Sequence, residues 1–213
     1  MAKQERAVRT RETLIRCAAE IFDREGFTVA SLTTISTQAG VSNGALHFHF
    51  ASKAALADAV EDAALERLRA IGDEASPQGA GWLQHLVDVT HGLARGLRED
   101  VVLRAGFVLS GDTARPSLTN LRLHWQRWVE QAVARADGAG ELRAGVAPES
   151  AAATVVAATV GFEVLCARDA QWISPQTVTG FWQLLLPSLA SPELLNKLEA
   201  DGSSPMKQTG WSV

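Results

Sequence analysis

The sequence predicts an all-α protein, with a small N-terminal three-helix head and a larger C-terminal helical bundle. Three observations predict it. From residue 8 to about residue 195 of the 213, apolar side chains recur at spacings of three and four. No segment shows the period-two alternation of a half-buried strand. Gly, Pro and cap-forming residues divide the helical stretches at short intervals.

The first helix covers residues 8–25, where Leu14, Cys17, Ala18, Ile21 and Phe22 repeat along one face. Thr10 and Thr13 offer caps, and Gly26 is expected to stop it. Ahead of it and at its start, Lys3, Arg6, Arg9 and Arg11 form a basic arm, expected to be flexible. Two readings of the arm stay open, a solvated tail or a contact to phosphates or the minor groove.

Leu32 to Phe50, LTTISTQAGVSNGALHFHF, reads as a helix-turn-helix. Leu32 and Ile35 face inward on a first short helix, and Ala39-Gly40-Val41 makes the turn. Ser42 stands where an N-cap belongs. The second helix keeps Leu46 and Phe50 for anchoring and turns short polar groups outward, as a helix lying on base edges requires. Short helix pairs with a Gly turn also occur as packing units, but the charge pattern favours DNA. Residues 1–53 hold seven Lys/Arg against five Asp/Glu, whereas the remainder holds 13 against 19. With a net charge of −4 the chain is not a general polyanion binder, and its positive balance sits beside the motif.

Lys53 to about Ile71 is an amphipathic linking helix, with Leu56, Ala59, Val60, Ala63 and Leu68 inward. Residues 76–81 are a loop. Trp82, Leu86, Val89, Leu93 and Leu97 form the stripe of the next helix. Val101 to Leu109 is a short apolar helix, and residues 111–117 a break. Leu118 to Ala136 carries Leu121, Trp125, Trp128 and Val133, and the chain breaks again at 137–140. Pro148 starts a helix to about Ala170, Ser174-Pro175 starts another to about Leu186, and a last short helix follows Pro192. Residues 202–213 are expected to be a disordered tail. The division by motif is 1–55 for the DNA-binding domain and 56–213 for the larger helical bundle, to which the resemblance described below assigns ligand binding and dimerisation.

The length permits a sizeable core, and 46% apolar residues is normal for a globular chain. Thr154, Thr159 and Glu163 interrupt the longest apolar run, so no membrane span is expected. The charged N-terminus lacks a leader core, and a cytoplasmic location is expected. Cys17 and Cys166 are expected as buried structural thiols. His85, Asp88 and His91 fall towards the polar side of a helix phased by Leu86 and Leu93, which reads as a solvated face rather than a metal site. No HExxH, CxxC, GxSxG or phosphate-cradling loop occurs, so neither an enzyme nor a cofactor is expected. Glu163 stands alone in an apolar helix, to cap a polar ligand group or to pair with an Arg.

The arm through Arg11, the segment Phe22–Phe27, the turn Ala39–Ser42, the run Gly44–Phe50 and Lys53 together resemble the tetracycline-repressor (TetR) family of bacterial regulators. Residues 101–110, Trp125 and Gly140-Glu141-Leu142 resemble the gamma-butyrolactone autoregulator receptors within it. Two positions depart from the pattern: His47 stands where Tyr is usual, and Asn43 where Lys or Arg is frequent.

The resemblance implies a homodimeric repressor on a palindromic operator, released by a small apolar effector. Lys3, Arg6, Arg9, Thr33, Ser42, Asn43, Gly44, His47 and Lys53 are then the DNA-binding set, with Lys53 and the arm on phosphates. All six tryptophans lie beyond residue 81, and each offers a flat apolar wall with one N–H donor. Trp125 matches the tryptophan that those receptors place against their lactone, with Thr159 expected as a polar contact. Leu86, Val89, Phe107, Leu109 and Phe162 are expected as walls. The long helices from Pro148 and Pro175 are the expected dimer surface. A receptor answering to an antibiotic or pathway intermediate, and an effector-free DNA-binding protein, remain as alternatives.

Overall fold

The computed structural model describes residues 2–74, 81–112 and 119–203. The Lys3 side chain, the loop at 75–80, the break at 113–118 and the tail from 204 onward lie outside the described residues. Ten α-helices and one 3-10 turn make up the regular structure of the described residues, which contain no strand. The helices are α1 (Ala2–Val29), α2 (Leu32–Gln38), α3 (Asn43–His49), α4 (Lys53–Glu74), α5 (Gly81–Glu99) and α6 (Val101–Gly111). They continue with α7 (Leu121–Gly138), α8 (Pro148–Cys166), α9 (Pro175–Leu189) and α10 (Pro192–Leu195). By contacts the chain divides into two compact units, Met1–Arg67 with Glu99–Leu121 and Leu68–Arg98 with Arg122–Val213.

In the first unit α1 begins at Ala2, so the expected flexible arm is helical. Gly26, with φ 76°, kinks α1 near its end instead of stopping it. Leu14, Ala18, Ile21 and Phe22 of α1 are buried, as are Ile35, Leu46, Phe50, Leu56 and Val60, and together they supply the core of this unit. Gly40, at φ 66°, reverses the chain after α2, and Val41 N–H donates to the Ser36 carbonyl (3.0 Å). The contact division differs from the division by motif because α6 belongs here. Asp100 caps its first turn, accepting from Val102 N–H (2.8 Å), and also takes the Arg67 guanidinium (2.5 Å). Arg104 pairs with Asp23 of α1 (3.0 Å). At Gly106 an added Cβ would stand 2.3 Å from the Ala64 Cβ, so α6 crosses α4 in near-backbone contact.

In the second unit Leu83, Leu86 and Val89 of α5 share a core with Trp125 and Val129 of α7, Val155 of α8 and Trp182 of α9. Two buried indoles end on threonines in the same way. Trp125 Nε1–H donates to Thr159 Oγ1 (2.8 Å), and Trp182 Nε1–H donates to Thr90 Oγ1 (2.6 Å). Each hydroxyl passes its proton to a carbonyl of its own helix, Val155 or Val87. A buried N–H without an acceptor is costly, and the threonines remove that cost. The turn after α7 does the same for α5: the Glu141 carboxylate accepts from Trp82 N–H (2.9 Å) and Leu83 N–H (2.8 Å).

One sequence expectation is overturned here. His85 and Asp88 are buried and His91 is half-buried, rather than forming a solvated face. Residues 199–203 cover Asp88 and His91, and His85 lies between the rings of Trp82 and Trp128. Gln84 bonds both main-chain groups of Glu199 (3.1 and 2.7 Å), and His91 Nε2 meets the Ala200 carbonyl (3.0 Å). Asp88 accepts from Ser203 N–H and Oγ–H (both 2.7 Å). Periodicity within one helix cannot reveal a cover that comes from more than a hundred residues away. Among the described residues no group of His, Cys, Asp and Glu is arranged for a metal ion.

By length and composition alone α8 would suffice to cross a membrane, a reading the apolar run did not suggest. In this fold its Glu163 carboxylate is buried in a two-pronged ion pair with Arg122 of α7 (2.9 and 3.2 Å), which settles the open choice for that residue. Cys17 is buried as expected, while Cys166 is only half-buried. Burial raises the Cys17 thiol pKa, with Glu20 adding to it and Arg16 opposing.

Candidate functional site

The surface built by the helix-turn-helix comes first. Ser31 caps α2 through Thr34 N–H (3.1 Å), and Ser42 caps α3 through Ala45 N–H (3.1 Å). Leu46 and Phe50 pin α3 to the core, and the Arg11 guanidinium lies 5.2 Å from the centre of the Phe50 ring. Asn43, Gly44, His47 and Phe48 are left exposed. Ser36 Oγ, with one proton to give, stands 2.9 Å from Asn43 Oδ1 and 3.0 Å from the Thr33 carbonyl, so α2 holds one end of the Asn43 amide and leaves the other to a partner. Thr33 is exposed on α2, and its carbonyl accepts from Thr37 Oγ–H (2.9 Å). Arg6 and Arg9 are exposed on the opening turns of α1.

Lys53 is placed differently from the sequence expectation. Its ammonium donates to the carbonyls of Phe27 (2.8 Å), Thr28 (3.2 Å) and Ala30 (2.8 Å), and lies 4.6 Å from the centre of the Phe27 ring. An ammonium has three donors, and all three are engaged here. Lys53 therefore fastens the end of α1 to the start of α4 instead of presenting a free charge to a phosphate. A Lys two residues past a reading helix invites the phosphate reading; only the three-dimensional course of residues 27–30 reveals the other.

Phe48 is the residue the sequence reasoning missed. It is 82% exposed on α3, with its ring edge-on to His49 at 5.2 Å. The signal was present: with 46 and 50 inward, position 48 must point away from the core.

The second cluster surrounds Trp125, which is 1% exposed. Its ring stacks on Trp128 at 5.4 Å and 12°, and His85 stands edge-on to Trp128 (5.4 Å) and to Trp82 (5.6 Å). Trp125 and Thr159, both expected as polar ligand contacts, are hydrogen-bonded to each other. Leu86 and Val89 are buried in the same unit. Phe162 is half-buried among aromatic rings, 5.7 Å from Phe181 and 6.4 Å from Trp172. Phe107 and Leu109, on α6, are buried in the first unit instead. A groove of about 540 Å³ on the second unit runs between α7 and α8, lined by Gln126, Glu130, Glu149 and small side chains. None of the expected ligand residues lines it.

Residues 14–60 match the bacterial regulatory proteins of the tetR family. The chain is 33% identical over 211 residues to the A-factor receptor protein of Streptomyces griseus, covering 95% of this chain and 71% of that protein. A crystal structure of a gamma-butyrolactone receptor, described as an ArpA-like protein, superposes with a TM-score of 0.81 at 28% identity, over 95% of this chain and 98% of that one. The TetR family protein CprB from Streptomyces coelicolor, in complex with its biological operator sequence, superposes with a TM-score of 0.75 at 28% identity, over 91% and 94%.

Proposed function

The chain belongs to the TetR family of bacterial regulatory proteins, and on that footing we propose that it is a cytoplasmic, homodimeric repressor of a palindromic operator, released by a small apolar effector of the gamma-butyrolactone kind. The observation that carries this reading is the exposed face of α3, capped and pinned for a groove, in a chain alike over 95% of its length to an A-factor receptor. Ser42, Asn43, Gly44 and His47 meet the major groove, with Thr33 and the basic residues Arg6 and Arg9 towards the backbone; Lys3 belongs to the same basic set.

The effector half of the reading rests on Trp125. Without effector its N–H is satisfied by Thr159. An effector carbonyl can take that N–H while Thr159 keeps its bond to Val155. Insertion of a molecule into a close-packed core moves the surrounding helices. Release requires that the effector bind the DNA-incompetent arrangement more tightly, since equal affinity shifts nothing. Residues 53–67 of α4 belong to the first unit and 68–74 to the second, which makes α4 the natural lever.

The test is a mobility-shift titration with a duplex selected by the protein from a randomised pool, repeated with a panel of synthetic gamma-butyrolactones. Specific binding that at least one lactone reverses at micromolar concentration is expected. Specific binding that no lactone in the panel reverses would discard the effector class.

A further inference from the structure

We infer that Phe48 reads the 5-methyl group of a thymine in each half-site, an inference that rests on the DNA-binding reading above. Gly44, His47 and Phe48, at i, i+3 and i+4 on α3, share the side away from Leu46 and Phe50, which are 0% and 4% exposed, and Asn43 is exposed at the edge of that side. Phe48 therefore adds nothing to the core, and at 82% exposure its ring is the one large apolar group on the reading face. A single exposed apolar side chain is ordinary in itself; its position gives it meaning. Gly44 lies one turn before Phe48 on the same side of the helix, and a Cβ built on it would meet only Ser42 Oγ, at 3.9 Å. The bare backbone at Gly44 lets the helix approach closely at the end that enters the groove, and the Phe48 ring follows one turn later, edge-on to His49.

The chemistry of the face narrows what it can read. No Lys or Arg occurs between Arg24 and Lys53, and the Lys53 ammonium is bonded to carbonyls. The bidentate cationic contact to guanine, the commonest specific contact, is therefore missing from α3. Asn43 offers one end of an amide, which does not by itself select a base, and Phe48 offers a ring. The thymine methyl is the apolar feature of the major-groove floor, and Phe is among the side chains that meet it. Phe48 therefore favours an A·T pair under α3. Packing against deoxyribose is the competing use of the ring, and it would be indifferent to the base.

The experiment replaces thymine by deoxyuridine, one position at a time, in a duplex selected by the full-length protein from a randomised pool. Deoxyuridine lacks only the methyl. At one position per half-site the wild type should lose about fourfold in affinity for one substitution and about fifteenfold for the symmetric pair, the worth of one and two buried methyl groups. Phe48→Ala should bind the unsubstituted duplex at least fourfold more weakly and should be insensitive to deoxyuridine at that same position. Phe48→Leu, which keeps an apolar contact, should retain part of the methyl effect. Thermal melts should coincide for the three proteins, because the ring is exposed. A scan with no methyl-sensitive thymine, or with equal methyl effects in wild type and Phe48→Ala, would overturn the inference while leaving operator binding intact. Failure to select any specific duplex would overturn the DNA-binding reading and this inference with it.

Discussion

Trp125 and Thr159 satisfy each other in a close-packed core, so the same pair that suits a ligand also closes the unliganded protein. Trp125→Phe removes the indole N–H together with part of the ring, and keeps an aromatic face for Trp128. It should cost more stability than the ~0.5–1.5 kcal/mol of one hydrogen bond, because a small cavity is left, and less than the ~3–5 kcal/mol of Trp125→Ala. Both should keep operator affinity where folded, and Trp125→Phe should weaken release by effector, as read by mobility shift beside a chemical melt. Normal release of the Phe variant would return Trp125 to a purely structural role. Lys53 gives the opposite case. The sequence suggested a phosphate contact, for which Lys53→Ala would reduce the salt slope by about one unit. The three carbonyl bonds predict instead an unchanged slope and a loss of about 1–3 kcal/mol in a urea melt.

Helices were legible in the sequence because each carries its own period and its own caps. Ser42, Gly40 and Pro148 stand where capping, turn and first-turn chemistry put them. What the sequence did not reveal depends on partners distant along the chain: the cover over α5, the Arg122 partner of Glu163, and the attachment of α6 to α1 and α4. The α4–α6 crossing has a direct test. Gly106→Ala places a methyl where the Ala64 Cβ already stands, and overpacking should cost about 1–3 kcal/mol in a denaturant melt. An unchanged midpoint would mean that the helices separate freely at this point. The α5 cover has a pH signature. Burial lowers the His91 pKa, outweighing the Ala200 carbonyl and the Asp88 and Asp201 carboxylates, which raise it, while Arg98 adds to the lowering. The unfolded chain, with its imidazole near pH 6.5, then binds the proton first as the pH falls. Stability from this site is complete above about pH 6.5 and declines on acidification towards the folded-state value. His91→Gln keeps a donor for the Ala200 carbonyl without titrating. Its melting temperature should fall less than that of the wild type between pH 7 and pH 5, and parallel curves would refute the assignment. Burial also lowers the His124 pKa, as do Arg69 and Arg127, and that effect is common to both proteins.

At the scale of the whole molecule, one α3 of seven residues spans only about 10 Å and reaches a few base pairs, so useful specificity needs a second head. For the homodimer proposed above, the exposed apolar residues of the second unit are the surface to test. Val164 and Leu165 at the end of α8 are 50% and 39% exposed, and Leu184 of α9 is 83% exposed. Ala153, Ala157 and Gly161 of α8 are small enough for close helix approach. A twofold interface places each such residue beside the same patch of its mate, so a single substitution is felt twice. Leu184→Glu therefore sets two carboxylates into an apolar contact while leaving a surface position of the isolated chain. Sedimentation should show the wild type as a dimer at micromolar concentration and Leu184→Glu as a folded monomer with the helical spectrum of the parent. The variant should also lose specific operator binding by far more than one half-site contact, because each head alone retains only half of the recognition. Leu184→Ala, which removes the contact without adding charge, should give an intermediate dimer dissociation constant. If Leu184→Glu remained dimeric at the same concentrations, the pairing surface would lie elsewhere than on α9.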